Sequence, residues 1–473
     1  MKKFTKILLI GCLLVMVSCN NWLDVDPKSQ VKDKDLFASE MGFKEALSGV
    51  YSLMTKEGLY GKELTFGWLG VLGQEWTSVP YNYEDDQKYD FENAASEVRI
   101  DSVWTGFYNA IANANKLLKE LEGKENLFSG DNYSIIKGEV LALRAYLHFD
   151  LLRIFGASCA VGMERIAIPY VTEYAPTIFP QEKVGDFVGK VLKDLQDAAK
   201  CLENDPILTG RTVSEIDDNG YLMNRQVHLN YYAVKGLMAR VYLYKGDYAN
   251  AEVCAKEVIG SGCFEWVKQE NLTNESVADL TFSTEHLFAL NIVTLGNIVD
   301  KYLDGGNNSF ALEESRLSEY YGSSYDYRYL YLFKTGVGMS NTLRYLKKYD
   351  QLESVSWAQS YRNKLPLICL PEMYYILAEC RYHSSGDVLE PLNEVCRHRG
   401  VADLSEADLS AFETLLLAEY RKEVIGGGQL FFQYKRLNRS VVPGTDVDLA
   451  GEGRYVIPMP KEELENPGWV SNQ

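Results

Sequence analysis

Apolar residues return at helical spacing over Leu36, Phe43, Leu47, Val50 and Met54, which predicts an amphipathic helix at about 35–55. The next stretch, about 56–99, has no steady period. It carries Gly58, Gly61, Gly67, Gly70 and Gly73 among Tyr60, Trp68, Trp76, Tyr81, Tyr83 and Tyr89. An irregular segment of this length in a compact chain points to a functional insertion. Helical spacing resumes with Trp104, Phe107, Tyr108, Ile111, Asn115 and Leu118, and a stronger helix at 139–155 stops at Gly156. A further helical region, about 415–437, is interrupted by Gly426, Gly427 and Gly428.

Residues 228–260 read as a helical hairpin. Ala239, Tyr242, Gly246, Asp247, Tyr248, Ala251 and Ala255 follow the small–aromatic–turn–small rhythm of a tetratricopeptide repeat. A looser unit spans 372–400, with Ala378, Tyr382, Gly386, Asp387, Leu392 and Val395. Such pairs bury their faces only by stacking. The expected architecture is therefore all-α: a tetratricopeptide-like scaffold with helical repeats at about 35–55, 100–155, 185–260 and 370–437. It carries long loop-rich insertions at about 56–99 and 265–350, within one domain over 35–473. Trp104, Tyr108, Tyr242 and Tyr248 are expected in its core.

Met1 to Lys6 carries three lysines, an apolar run follows from Ile7 to Val17, and Ser18 and Cys19 close it. This predicts a signal peptide over 1–18. Val15-Met16-Val17-Ser18-Cys19 resembles a bacterial lipobox, with Met16 where Leu is usual, which predicts lipid on Cys19. Each buried CH₂ of such a lipid contributes about 0.8 kcal/mol, so the chain is expected to be anchored to a membrane without spanning it. Residues 19–34 would form the anchor and tether. Of the nine cysteines, Cys12 leaves with the leader. Seven remain after Cys19, and most fall on apolar helix faces, where a thiol acts as a small hydrophobe. Cys254 and Cys263 are spaced closely enough for a bridge.

Composition adds an exclusion. The net charge of -18 becomes -21 once the leader takes three lysines and no acid. Such a surface repels phosphates, so no nucleic acid partner is expected. The unusual number is 32 tyrosines, beside 7 tryptophans and 19 phenylalanines.

Taken in order, the landmarks resemble the SusD/RagB family of outer-membrane lipoproteins. Leu23-Asp24-Val25-Asp26-Pro27 is similar to its opening. Trp104, Tyr108, Ile111, Ala114 and Asn115 resemble its W-x3-Y-x2-I-x2-A-N helix, and Leu143-Arg144-Ala145-Tyr146, Phe149-Asp150-Leu151 and Phe155-Gly156 its next helix. Ile168-Pro169, Asp326 and Arg328, and Leu392-Asn393-Glu394-Val395 with Gly400 follow. Glu419, Glu423, Gly428 and Arg436 resemble the late E…E…G…R signature, and Ile457-Pro458-Met459-Pro460 with Glu463, Asn466 and Pro467 the close. The pattern departs at Cys396 and His398, where the family has arginines that here come one place later, as Arg397 and Arg399. It departs again at Tyr420, Gly427 and Gln433. These changes put a local salt-bridge network in question.

The resemblance implies a protein on the outer face of the outer membrane, capping a SusC-like TonB-dependent barrel and capturing glycan for import. RagB-like members handle peptides instead, and a helical-repeat scaffold that holds only proteins is a third reading. Flat aromatic side chains suit the apolar face of a sugar, and carboxylates and amides suit its hydroxyls. The ligand-binding candidates are Trp68, Trp76, Tyr81, Tyr83 and Asp85 in the first insertion, and Tyr302, Tyr321 and Tyr325 in the second. The two insertions are expected to meet and form the site. Asp326 and Arg328 read as an ion pair fixing the second. Lys88 is the lone cation in 68–91, so a neutral glycan is the expected ligand.

Catalysis is not expected. No H-E-x-x-H, G-x-S-x-G or phosphate loop occurs. Cys380, His383, Cys396 and His398 have no usual zinc spacing, and Asp304, Asn307 and Asn308 lack the alternation of a calcium loop. Neither metal nor cofactor is called for.

Overall fold

The computed structural model describes residues 34–210, 213–214, 217–274, 277–306, 308–336, 342–351 and 361–472. The expected signal peptide, Cys19 and the segment at 22–27 lie outside them. Eight long helices form the scaffold: α1 (Glu40–Met54), α2 (Ala94–Leu121), α3 (Asn132–Phe155), α4 (Val184–Cys201), α5 (Tyr231–Lys245), α6 (Tyr248–Ile259), α7 (Leu370–His383) and α8 (Leu389–His398). Helix α1 packs on α2, α3 on α4, α5 on α6 and α7 on α8, and each pair packs on the next. The result is the stacked, all-α, tetratricopeptide-like scaffold that the periodicity predicts.

Local chemistry sets the ends. Asn93 caps α2 by accepting from the backbone N–H of Ala95 and Ser96, at 3.1 and 3.0 Å. Helix α5 stops at Gly246, whose φ of 81° suits glycine, and Asp247 then caps α6. In the looser repeat the left-handed position falls on Ser385, not Gly386. Helix α3 is buried almost all round, as its lack of a polar face requires. Its buried charges are paired inward. Arg144 clamps Asp194 through two bonds of 2.7 Å, and Glu139 meets Arg225 at 2.7 Å. Trp104 and Tyr242 are buried, while Tyr108 and Tyr248 pack half-buried against the core.

Short strands appear where the sequence predicts only loops. The strand β1 (Ile166–Pro169) pairs with β2 (Gln181–Lys183). The strands β3 (His286–Asn291), β4 (Leu312–Glu313), β5 (Phe333–Thr335), β6 (Leu343–Leu346) and β7 (Lys364–Cys369) follow. Antiparallel pairing of β3 with β7 closes the second insertion at its base, and β6 lies between β4 and β5. Two more helices, α9 (Phe412–Val424) and α10 (Leu430–Arg436), flank the glycine run.

Cys254 and Cys263 are not bridged; both are free. Cys254 lies on the buried face of α6, whereas Cys263 is exposed beyond its end. The salt-bridge network, put in question by Cys396 and His398, is present. Arg399 is buried between Glu285 (2.6 Å) and Glu423 (2.7 Å), and Arg328 contacts Asp326, Glu419 and Glu423 at 2.7, 3.1 and 3.0 Å. The one-place shift of the arginine keeps the charge where it is needed.

Candidate functional site

The two insertions do meet. The backbone N–H groups of Thr77 and Ser78 both donate to the Ala311 carbonyl, at 3.0 Å. Trp76 and Tyr83 pack on Phe310, with ring centroids 6.0 and 5.1 Å apart. The Tyr302 hydroxyl donates to Glu57 at 2.9 Å.

They meet through their interiors, which corrects most of the expected site. Trp68 has no exposed surface, and its indole N–H donates to Asp86 at 2.9 Å. Trp76 donates to the Phe66 carbonyl at 2.7 Å, Tyr83 to Glu63 at 2.8 Å and Tyr321 to the Lys422 carbonyl at 3.1 Å. All four side chains are buried, as is Tyr302. An aromatic ring with no free face cannot stack on a ligand. Trp68, Trp76, Tyr83, Tyr302 and Tyr321 therefore form the floor that fixes the insertions to the scaffold. The segment's irregular backbone demands this: its side chains must supply the core contacts and bonds that a regular helix would provide.

The floor is also electrostatically tight. Asp86 accepts from Trp68, Ser96 and Arg99, yet burial pushes its carboxyl up to about 6. Glu75 is fully buried, and burial pushes it up to about 8. Its Oε2 accepts from Gly426 N–H at 2.7 Å, while Oε1 has no partner.

Tyr81, Asp85 and Tyr325 remain at the surface. Tyr81 is 86% exposed, at the head of the short turn Tyr81–Tyr83, and Asp85 is exposed in the helical turn that follows. Tyr325 is 75% exposed. It is aimed outward because Asp326 behind it is buried, capping the helical turn Tyr327–Tyr331 and clamping Arg328 at 2.9 and 2.7 Å. The expected Asp326–Arg328 pair is thus present.

The sequence reading missed a neighbouring groove of about 450 Å³, lined by Trp266, Gln269, Tyr327, Arg397 and His398. The His398 ring stacks on Trp266 at 4.6 Å, and the Tyr327 hydroxyl donates to Gln269 at 3.2 Å. Gly400 makes the approach possible: a Cβ there would lie 2.4 Å from the Tyr327 ring and 2.9 Å from the Tyr325 carbonyl. No sequence pattern marks Trp266, which stands alone between the repeats and meets His398 only in the fold. His383 likewise stacks on Tyr248, at 3.9 Å. Among the described residues no group of three or more His, Cys, Asp and Glu could hold a metal ion. Asp304 is neutralised by Lys334 at 2.7 Å, and Asn307 lies outside the described residues. No described helix is long and apolar enough to cross a membrane.

A SusD-like family model, described as "Starch-binding associating with outer membrane", matches residues 21–243. SusD-like protein P38 of Formosa agariphila is 25% identical over 269 residues, covering 56% of this chain and 47% of that one. SusD-like protein P2 of the same organism is 26% identical over 167 residues, covering 33% and 30%. The matched stretches thus span about half or less of those relatives. A crystal structure of a SusD superfamily protein from Bacteroides thetaiotaomicron aligns with a TM-score of 0.74 at 21% identity, covering 92% of this chain and 100% of that one. Surface glycan-binding protein A from Bacteroides fluxus aligns at 0.68 with 18% identity, covering 92% and 98%.

Proposed function

We propose that the chain, which is similar over residues 21–243 to the SusD-like family and shares the fold of SusD superfamily proteins, is a surface lipoprotein that captures glycan without cleaving it. Lipid on Cys19 holds it to the outer membrane, and a SusC-like TonB-dependent barrel receives the ligand. The observation that carries capture is the position of the free aromatics. Tyr81 and Tyr325 are the two most exposed aromatic side chains among the described residues, and each projects from a different insertion. Neither ring is needed to hold the fold, so both offer an apolar face to a sugar and a hydroxyl to its rim. The Trp266–His398 groove contains Tyr327, whose ring lies by Gly400 next to the Tyr325 carbonyl. Asp85 and Gln269 supply acceptors for sugar hydroxyls.

The test is calorimetric titration of the mature, unlipidated chain with neutral oligosaccharides, anionic oligosaccharides and peptides, each tube checked for cleavage products. Saturable glycan binding without products supports capture. Tyr81→Ala with Tyr325→Ala should then weaken binding at least tenfold, since stacking contributes about 1 kcal/mol per aromatic pair, and the melting temperature should not change. Binding to peptides alone would place the chain on the RagB-like side. Unaltered affinity in the double variant would remove both tyrosines from the site.

A further inference from the structure

A separate pocket of about 390 Å³ lies between the loop after α3, the end of α10 and the turn at 449–456. Its size falls within the range of small-molecule sites. Two polar groups in it are buried and under-used. The Lys435 side chain is 1% exposed, and its ammonium donates to one acceptor, the Ile154 carbonyl, at 3.1 Å. The Ser158 hydroxyl is buried with no partner. Arg165 stands at the rim with no acid paired to it among the described residues. Arg454 is opposed by Glu452 at 3.2 Å. The pocket therefore holds two arginines and a buried lysine against one carboxylate, in a chain whose acids outnumber its bases by 66 to 48.

A buried ammonium with one carbonyl partner is costly unless an anion meets it. Burial lowers the Lys435 pKa well below the ordinary lysine range, and the charges of Arg153 and Arg165 push the same way. The unpartnered Ser158 hydroxyl is a second donor awaiting an acceptor. Phe91, Val161, Leu449 and Tyr455 line the rest and can cover the apolar face of a ring.

We propose that this pocket binds a monosaccharide-sized anion, its carboxylate or sulfate held by Lys435, Ser158 and Arg165. The site is distinct from the exposed tyrosines. It gives the protein a selective point for acidic sugars that its overall charge repels.

Titration of the mature chain with glucuronate, glucose 6-sulfate and uncharged glucose tests this. At least one of the two anions should bind saturably, and glucose should not. Comparing the two anions separates a carboxylate from a sulfate preference. Ser158→Ala and Arg165→Gln should each weaken binding roughly tenfold, the scale of one hydrogen bond to a charged group, with unchanged melting temperature. Lys435→Met should abolish it; if that variant fails to fold, the other two decide. Failure of both anions to bind overturns the proposal. So does equal binding of glucose, or unchanged affinity in both Ser158→Ala and Arg165→Gln. The Tyr81→Ala, Tyr325→Ala double variant should keep anion binding intact, so failure of this site and failure of glycan capture by the tyrosines read separately.

Discussion

Trp76 and Tyr81 lie five positions apart and do opposite work. Trp76 is sealed between Phe310 and the Phe66 carbonyl, so Trp76→Ala should cost about 3–5 kcal/mol, the usual range for emptying a large aromatic site. Chemical denaturation would measure it. Affinity should fall only in proportion to the unfolded fraction. Both residues are legible in the sequence as aromatics in an irregular segment. Their burial is not, because it depends on Phe310, more than two hundred positions later. Glu75 behaves in the same way: nothing around it in sequence signals a fully buried acid. Its ordinary carboxyl titrates near 4.5 in the unfolded chain and near 8 in the folded one. Between those values the unfolded chain has lost the proton and the folded one has not, so stability falls as pH rises through that window. Glu75→Gln has no such slope. The melting temperature of Glu75→Gln relative to the parent should therefore climb between about pH 5 and pH 8. A constant difference would show that Glu75 ionises normally.

Helices are the best-read elements. The spacing over 228–260 places the α5–α6 hairpin, its turn at Gly246 and the cap at Asp247, since each is a local rule acting over a few residues. The strands β3 and β7 escape notice because their pairing partners are more than seventy positions apart. The glycine run shows its meaning only when folded. Gly428 adopts a φ of 68°, and a Cβ on it would lie 2.4 Å from the Leu64 carbonyl oxygen. Gly428→Ala should therefore strain the backbone and part α10 from the first insertion. Its melting temperature should fall by several degrees, and more than that of Gly453→Ala, where the φ is 70° but nothing lies within 4 Å. Equal losses would mean that φ alone governs Gly428.

Across the whole molecule, order along the chain and order in space differ. Early segments are completed by groups that arrive last: in the first insertion Glu75 bonds Gly426 across 351 positions, and in α2 Trp104 donates to Glu463 at 2.9 Å across 359. Contacts of such separation form slowly, after the local helices. During folding the early helical pairs can therefore assemble while the first insertion is still open. A chain cut before Gly426 should still show helical circular dichroism but bind no glycan and digest rapidly between residues 56 and 99. The surface proposed for capture would thus be finished late: the floor beneath the Tyr81 segment closes only once Gly426 has been made and has met Glu75.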